Sequence, residues 1–353
     1  MKAAGRKAAG ALAFFLILLG SFGCRSRITI LCYNVQNFFD DVDQGTEYRD
    51  YDPGLGSWGA EEVEKRLQAV AEVVRRSAFG WPDVLALQEV ENVELLNRLC
   101  DGPLWRGQYL YRALVPVKGQ AFHCAVASRY PISRVGAWHP EEGDGGPQRV
   151  ILEAEIGFPD GRLYLFNAHW KSKLGGVPST EEARRAAAAA LGKRLAAILR
   201  EEPAADVVVV GDLNENLREP ELEELGIPGA LAVLDSASMC SERTLYLTGE
   251  PPARSLEGGC LLLYEPWFEV DEAERWSYVY QGEPQTPDHV LLSAGLFDGE
   301  GLVYRTGGFR VVRLPFLLGS RKGYPVAAKE DGSGYSDHLP LLVRLRIAHA
   351  GGP

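Results

Sequence analysis

The sequence predicts an α/β fold, and three observations support this prediction. Strand-like and helix-like patterns alternate along most of the 353 residues. The segment DVVVV at residues 206–210 is continuously apolar, which is typical of a strand buried on both faces. Polar side chains follow several strands at their carboxyl ends, where α/β proteins often place their chemistry. We therefore expect helices outside at least one sheet and a functional site at its strand ends.

The composition is that of a globular protein. Hydrophobic residues make up 46% of the chain and charged residues 24%, which excludes a wholly disordered or fibrous protein. The length permits one large domain or two smaller ones. The formal net charge of −11 argues against a protein that coats nucleic acid, because such a coat needs a broad basic surface. A polyanionic substrate that meets metal ions at one local site remains compatible with this charge.

The amino terminus has the order of an export signal. Lys2, Arg6 and Lys7 precede an apolar run over residues 8–19, which is too short to span a bilayer comfortably. Small residues follow, and Cys24 stands in an order that resembles a bacterial lipobox. This resemblance implies a signal peptide at residues 1–23, lipidation of Cys24, and an exported protein held at the membrane on the periplasmic or outer side of a bacterial envelope. The alternative is a plain secretory signal beside an unrelated cysteine.

The first half of the mature chain alternates between strands and helices. Residues 27–33 alternate polar and apolar side chains and predict a strand, and residues 40–59 are rich in Asp, Tyr and Gly and predict a long loop. An apolar stripe from Val63 to Val74 predicts a helix over residues 60–77. A short helix is predicted at 91–99, and further strands are predicted at 83–87, 121–128, 150–156 and 162–168.

The second half continues this pattern. Residues 180–200 are rich in alanine and predict a long helix, with Thr180 and two glutamates suited to its positive amino-terminal end. Strands are predicted at 206–210, 277–281, 289–293, 304–314 and 341–347. Residues 237–275 are irregular, and no element is predicted there. The chain shows no repeat of fixed period and no Pro-, Gly- or Ser-rich linker in its middle.

Cys24 is one of six cysteines, and none of them shows CxxC spacing. Zinc and thioredoxin-type sites therefore have no support. Cys32 and Cys124 lie in apolar strands and are predicted to be buried. Cys240 and Cys260 could pair in an oxidising compartment, and the sequence leaves this open.

Polar residues at the strand ends carry the chemical signal. They are Asn34, Glu89, His169, Asp212 and Asn214 after strands, Asp288 at the start of one, and Asp337 and His338 before the last. Carboxylates suit a hard divalent cation, histidines suit proton transfer or an anionic transition state, and amides donate to phosphoryl oxygens. Singly, each residue has a structural explanation as a turn, cap or buried group. As an ordered set, without a GxSxG, GxxxxGK[ST] or HExxH motif, they favour metal-assisted hydrolysis of a phosphate ester.

Seven segments in order resemble the endonuclease/exonuclease/phosphatase (DNase I-like) superfamily. They are YNVQNFF (33–39), LALQEVEN (85–92), VASRYPI (126–132), NAHWKSKLGG (167–176), VVGDLNEN (209–216), TPDHVLLS (286–293) and GYSDHLPLLV (334–343). The GDLN and SDH segments are the most specific, and the HWKSK segment is similar to that of exported bacterial members. The resemblance implies a single domain over residues 27–347. It also implies a four-layer α/β sandwich, with two mixed β-sheets face to face and helices outside.

The resemblance also implies a role for each strand-end residue. Glu89 would be the principal ligand of Mg²⁺ or Mn²⁺, with Asn34 holding the metal or the phosphate and Asp337 a metal ligand in some members. Asp212 would orient or deprotonate the attacking water, and Asn214 would position that water and the scissile phosphate.

Two histidines complete this implied machinery. His338 would stabilise the pentavalent transition state, with Asp288 fixing its tautomer, as a carboxylate hydrogen-bonded to a histidine commonly does. His169 would aid departure of the leaving group or contact the phosphate. Lys171 and Lys173 are predicted to contact substrate phosphate, and the alternative is a solvated basic turn.

The remaining histidines and two arginines receive structural predictions. His289 is expected to point away from the site, His123 and His139 to be structural, and Arg184 and Arg185 to be surface charges.

Three functions remain open: a metal-dependent phosphodiesterase of nuclease type, a phospholipase C or sphingomyelinase-like enzyme, and a non-catalytic surface lipoprotein that uses the fold for binding. No Pro-x-Trp-Cys-Asp-Arg segment of the 5-phosphatases follows Asn214. Residues 316–318 and 260–267 are apolar enough for membrane contact, although core packing is expected. A nuclease needs a local basic groove, for which the candidates are Arg129, Arg149, Lys171 and Lys173. The sequence identifies no protein partner.

Overall fold

The computed structural model describes residues 26–141, 149–159, 161–234, 240–320 and 323–348. The predicted signal peptide at 1–23, the predicted lipidation of Cys24, and residues 237–239 of the segment predicted to be irregular lie outside these ranges. No helix within the described ranges is both long and apolar enough to cross a membrane.

Two large sheets and a small hairpin contain all the strands of the described chain. The strands are β1 Arg27–Phe38, β2 Val84–Val90, β3 Tyr111–Leu114, β4 His123–Ser128, β5 Ile132–Trp138, β6 Ile151–Phe158, β7 Gly161–His169, β8 Val207–Asp212, β9 Leu231–Val233, β10 Leu245–Thr248, β11 Leu256–Glu257, β12 Cys260–Tyr264, β13 Tyr278–Tyr280, β14 Glu283–Gln285, β15 Asp288–Leu292, β16 Leu302–Val311 and β17 Leu341–Ile347. The first sheet has the order β16-β17-β1-β2-β4-β3, and the second has the order β5-β6-β7-β8-β15-β12-β10-β9. Strand β11 adds to β12, and β13 pairs with β14.

Both large sheets are mixed. In the first sheet β1 runs parallel to β2 and antiparallel to β17, and in the second β7 runs parallel to β8 while β15 runs antiparallel to it. The α-helices are α1 Ala60–Arg76, α2 Val93–Asp101, α3 Val177–Glu201 and α4 Pro220–Leu225. Short 3₁₀ turns lie at Arg49–Tyr51, Pro53–Leu55, Trp105–Gly107, Pro266–Glu269, Glu272–Glu274, Ala294–Phe297 and Pro315–Leu317.

The burial of β8 shows how the layers stack. Val208 and Val210 belong to a core that also contains the buried residues of the first sheet, whereas Val207 and Val209 belong to a second core with α3. Alternate side chains of one strand therefore face the other sheet and an outer helix, as the continuous apolar run predicts. The apolar stripe of α1 is buried against the outer side of the first sheet. The predicted four-layer sandwich is thereby confirmed.

Several elements differ from their predictions. Strand β1 continues to Phe38, five residues beyond its predicted end, and α3 begins at Val177. The edge strand β5 was not predicted, since most of its side chains are only partly covered and its apolar alternation is weak. Within the segment predicted to be irregular, β10 and β12 extend the second sheet. These strands are short, so their tertiary neighbours decide their conformation.

The structure shows which of the described cysteines are paired and which are free thiols. Cys240 and Cys260 form a disulfide with their Cα atoms 5.2 Å apart, which ties the chain before β10 to the start of β12. Cys32 and Cys124 are buried free thiols, as predicted.

Candidate active site

Strand register brings the predicted polar residues to one edge of the sandwich. In the second sheet Asp212 pairs with His169 on one side and with Asp288 on the other. In the first sheet Asn34 pairs with Gln88, the residue before Glu89. Because the two sheets pack face to face, these strand ends form one polar cluster.

The backbone at this edge is strained. Six non-glycine residues of the described chain have positive φ, and four of them lie here: Gln36, Asn37, Glu89 and Asn214. The pairing of β1 with β2 shifts register between Asn34 and Phe38, where these conformations occur. Such conformations cost free energy and are concentrated at functional sites, where the surrounding structure holds them. Gln36 and Asn37 lie in the part of β1 that continues beyond its predicted end.

Asn34 connects the carboxylates of the two sheets. Its Nδ2 donates to Glu89 Oε1 at 3.2 Å and to Asp212 Oδ2 at 3.0 Å. Its Oδ1 accepts from the Gln36 backbone, so the amide nitrogen faces the carboxylates. Glu89 Oε2 accepts from the Asn37 backbone at 2.7 Å. These bonds hold two carboxylates in fixed positions on either side of one amide.

His338 is held by a carboxylate and an aromatic ring. Its Nδ1 lies 2.8 Å from Asp288 Oδ2, which also accepts from Ser277 Oγ at 2.6 Å. The ring of Tyr278 stacks on the imidazole with centroids 4.6 Å apart. Burial alone would lower the pKa of His338, but the carboxylates of Asp288 and Asp212 outweigh burial and raise it well above its usual value. The imidazolium form is therefore favoured, with Nε2 3.8 Å from Asp212 Oδ2.

His169 has the opposite character. Burial, followed by the positive charges of Arg149 and His338, lowers its pKa well below the usual value, so the ring is neutral near pH 7. Its Nε2 lies 3.5 Å from Asp212 Oδ2 and 3.8 Å from Glu89 Oε1. Its Nδ1 is buried without a hydrogen-bond partner in the described structure. The cluster thus contains one charged and one neutral imidazole, which suit different steps of a proton-transfer reaction.

Two further carboxylates have raised pKa values. Burial raises the pKa of Asp212 to about 7, with His338 opposing the shift and Asp288 and Glu89 adding to it. Burial also raises the pKa of Asp337, with His338 again opposing and Glu89 adding. Close carboxylates repel each other when all are ionised. A bound cation would relieve this repulsion.

The donors fit a divalent cation. Ligand atoms of Asp212, Asp288 and His338 lie within 4.8 Å of one another, which is close enough for one metal ion. However, Asp288 already accepts two hydrogen bonds on one oxygen, and one nitrogen of His338 is used. Glu89 and Asp212 face each other across an amide, and among the described residues the only cation beside them is the His338 imidazolium, 3.8 Å from Asp212. Oxygen ligands of this kind suit Mg²⁺ or Mn²⁺. We therefore favour the side of the cluster with Glu89, as the sequence predicts.

The other predicted residues divide into two groups. The Asn214 backbone donates to Asp212 Oδ1 at 3.0 Å and its side chain lies against the Trp170 carbonyl, so Asn214 is part of the cluster. Lys171 is exposed beside His169. Lys173 instead forms an ion pair with Glu219 at 2.7 Å, so its charge is already balanced. Lys173 is thus mostly buried in an ion pair, which is neither the predicted free phosphate contact nor a solvated basic turn.

Sequence reasoning missed a buried clamp behind the site. Arg66 on α1 is fully buried and donates to the carbonyls of Val35 and Gln36 near the end of β1 and to that of Tyr335 in the loop before β17. Gln36 Oε1 accepts from the Asp337 backbone at 2.9 Å. These bonds join the end of β1 to the loop that carries His338. The available signal was an arginine next to the apolar stripe of α1.

A second buried network corrects the prediction for Arg184. Arg184 is completely buried and contacts Glu181 and Glu215, so it is not a surface charge. It also donates to the backbone carbonyl of Val177 at 3.0 Å. This network lies under the loop that begins with Asn214. Arg185 is only half-buried and has a distant 4.0 Å contact with Glu182.

Three other expectations can be compared with the structure. His289 points away from the cluster, as predicted, and bonds to Glu265 at 2.6 Å and to the Glu215 carbonyl. His123 is structural, as predicted, with both ring nitrogens bonded to backbone groups. Arg129 was predicted as a groove residue, but it lies 3.6 Å from Asp83 at the opposite end of β2. It is therefore too far along the strand to contact a substrate at Glu89.

The fold and this cluster define a class of protein. Two face-to-face sheets present carboxylates, amides, one charged imidazole and one neutral imidazole at one edge, a set of groups that suits hydrolysis of a phosphate ester. The chain belongs to the Endonuclease/Exonuclease/phosphatase family, which matches residues 31–338. Members of this family hydrolyse phosphate esters.

Solved structures agree with this assignment. TDP2 from Caenorhabditis elegans superposes with a TM-score of 0.53 at 15% identity, covering 96% of this chain and 81% of that one. D. rerio TDP2 complexed with single strand DNA product gives 0.51 at 15% identity, over 92% and 100% of the two chains. The endonuclease/exonuclease/phosphatase from Bacteroides vulgatus gives 0.51 at 13% identity, also over 92% and 100%. At these identities the likeness establishes the fold. Comparison with curated protein sequences gave no match.

Proposed function

We propose that this protein is an exported, Mg²⁺- or Mn²⁺-dependent phosphodiesterase of nuclease type. The observation that carries the proposal is the single cluster in which Asn34 joins Glu89 to Asp212 while His338 and His169 lie within 4 Å of Asp212. An adhesion protein would not need this strained arrangement of buried ionisable groups.

The proposed reaction begins with a water molecule next to Asp212. Asp212 takes a proton from this water as its oxygen attacks phosphorus, while Asn214 orients the water and the phosphate. The imidazolium of His338, held by Asp288, donates to a phosphoryl oxygen and stabilises the added negative charge. The bond from phosphorus to the leaving oxygen then breaks, this oxygen takes up a proton from solvent, and Asp212 returns the proton it accepted to solvent.

His169 acts on the same phosphate, from the side on which Glu89 would hold a metal. The neutral His169 lies on the side of Glu89 and Asp212, where it can contact the phosphate or the leaving oxygen. When bound, a divalent cation would neutralise negative charge on the phosphate and stabilise the negative charge that develops on the leaving oxygen. Glu89 would hold it, with Asn34 and Asp337 nearby.

Two observations favour nucleic acid over lipid as the substrate. The apolar segments considered for membrane contact lie in the core, because Leu317 and Trp267 are buried and Phe316 packs on Tyr335. One solved structure with the same fold, D. rerio TDP2, was determined with a single strand DNA product. The acidic chain and its few cations near the site do not suit tight binding of duplex DNA.

A substrate panel tests this function. We expect the protein with Mg²⁺ to cleave single-stranded DNA, to lose this activity in EDTA, and to regain it when Mg²⁺ is added in excess. Release of phosphocholine from sphingomyelin liposomes without cleavage of DNA or RNA would instead establish the lipid phosphodiesterase. The binding-protein alternative predicts no hydrolysis of any substrate and no Mg²⁺ or Mn²⁺ binding by calorimetry.

We also propose that the protein is anchored outside the cytoplasmic membrane through a lipid on Cys24. The lipobox-like order before Cys24 supports this proposal, and the pairing of Cys240 with Cys260 suits an oxidising compartment. Mass spectrometry of the mature protein should find a lipidated residue 24 at the amino terminus, and Cys24→Ser should release the protein from membranes. A mature amino terminus elsewhere, without lipid, would contradict the anchor.

A further inference from the structure

An exposed aromatic ring and a cation lie together on one rim of the active site. Tyr48, in the acidic loop after β1, retains 48% of its surface. Its ring makes edge-to-face contacts with Phe39 and Phe122, at centroid distances of 5.6 and 5.3 Å. Among the described residues no ring stacks on it in parallel. The ring is therefore fixed in place while much of its surface remains available.

Arg149 lies between this ring and the catalytic histidine. Its Nη1 donates at 2.9 Å to the Trp170 carbonyl, which also accepts from Asn214 Nδ2 at 3.3 Å. The Arg149 side chain lines a small pocket together with Phe122, the ring on which Tyr48 packs. Its charge acts on His169, the residue before Trp170. Tyr48 in turn packs on Phe39, two residues after Asn37, whose backbone donates to Glu89. The rim therefore runs from Glu89 through Tyr48 and Arg149 to His169.

The guanidinium of Arg149 has no ion-pair partner among the described residues. Lys171, which follows Trp170 in the chain, is exposed and also forms no ion pair with a described carboxylate. By contrast, Lys173 pairs with Glu219, and Arg98 near the same loop pairs with Asp41. Beside His338, Tyr278 stacks on the imidazole and the carboxylate of Asp337 lies 4.0 Å from Nε2, where it would repel a second phosphate. A polyanion is therefore drawn towards the Arg149 side.

We propose that Tyr48 and Arg149 form a subsite for the nucleotide next to the scissile phosphate, with an unpaired base stacked on Tyr48 and a flanking phosphate held by Arg149. This inference rests on the proposed nuclease function and names its substrate class as single-stranded nucleic acid. A base inside a duplex is already stacked on both faces, whereas a splayed base is free to stack on an aromatic ring. The few cations near the site also neutralise a larger share of the phosphate charge on a short single strand than on a duplex.

Paired substrates separate the base from the phosphate. One is a short oligothymidylate, and the other has the same backbone with an abasic unit at every position. We expect the wild-type protein to cleave the oligothymidylate about tenfold or more faster in kcat/KM, because stacking requires a base. In Tyr48→Leu this ratio should fall towards about 1. In Arg149→Gln, kcat/KM should fall on both substrates, and the slope of log kcat/KM against log salt should weaken by about 0.7.

Two control variants lie at the other end of the sheets. Tyr111 is 37% exposed and pairs with Ser128, which pairs with Val84 at the start of β2. Arg134 is exposed and lies opposite Glu155 in the pairing of β5 with β6. Glu155 in turn lies opposite Tyr164, near the start of β7. Tyr111→Leu and Arg134→Gln should therefore retain the wild-type ratio and salt slope. Arg149→Lys, which keeps the charge, should retain most of the salt slope.

The possible outcomes separate failure of the proposed subsite from failure of the proposed nuclease function. A wild-type ratio in Tyr48→Leu, in a protein that cleaves oligothymidylate, would overturn the subsite and leave the nuclease function intact. A wild-type protein that hydrolyses bis(p-nitrophenyl) phosphate but neither oligonucleotide would overturn both the nuclease function and the subsite. An equal loss of ratio in Tyr111→Leu would also contradict the assignment to Tyr48.

Discussion

Asp212→Asn is expected to lower kcat by about 10²–10⁴-fold for Mg²⁺-dependent hydrolysis of single-stranded DNA and of bis(p-nitrophenyl) phosphate. The amide can still accept the hydrogen bond that the Asn214 backbone donates to residue 212, but it cannot take a proton from water. His338→Ala should cost about 10²–10³-fold, because it removes a charged donor rather than the base. Initial rates at saturating substrate and Mg²⁺ measure both effects.

The pH profile gives this prediction a second readout. Burial raises the pKa of Asp212 to about 7, and the base acts only when deprotonated. The wild-type rate should therefore fall as the pH drops below about 7, with a bound cation moving this midpoint lower. The residual activity of Asp212→Asn should not show this fall in rate at low pH.

Asp206 offers a matched control at the other end of the same strand. Burial also raises its pKa to about 7, and it accepts a backbone hydrogen bond from Leu302. Asp206→Asn should keep a kcat near the wild-type value. Similar losses in Asp206→Asn and Asp212→Asn, or a wild-type kcat in Asp212→Asn, would contradict the role of Asp212 as the base.

Arg184→Met is expected to lower the free energy of unfolding by about 3–5 kcal/mol. The arginine contacts two buried carboxylates, Glu181 and Glu215, and its loss would leave both without a cation. Burial, together with the nearby Glu181, already raises the pKa of Glu215 well above its usual value. A loss of this size is a large share of the stability of a typical domain, about 5–15 kcal/mol. Urea unfolding followed by circular dichroism measures it.

Arg185, the next residue of α3, provides a control that separates the loss of a charge from the loss of a buried ion pair. Arg185→Met removes the same charge from the same helix, where the nearest carboxylate is 4.0 Å away and exposed. It should change the free energy of unfolding by less than about 1 kcal/mol. Equal effects of the two substitutions would show that the buried network is not what stabilises this helix.

Most of the fold was predictable because its signals are local. The apolar stripe of α1, the alternation in β1 and the continuous run in β8 each depend on a few neighbouring residues. The unpredicted strands β5 and β10 are short or lie at an edge, where partners far along the chain decide the conformation. The disulfide of Cys240 likewise required the three-dimensional distance to Cys260.

By itself, the sequence determined the fold class and the set of polar residues at the strand ends. It could do so because strand periodicity places these residues, and parallel strand ends meet at one edge. Only the tertiary structure decided which charges are balanced. Arg66 reaches carbonyls near residues 35 and 335, Arg184 is buried between two glutamates, and Lys173 is paired with Glu219. Each depends on groups brought together from distant parts of the chain, and charge balance at a site is set by such contacts and by burial rather than by sequence position.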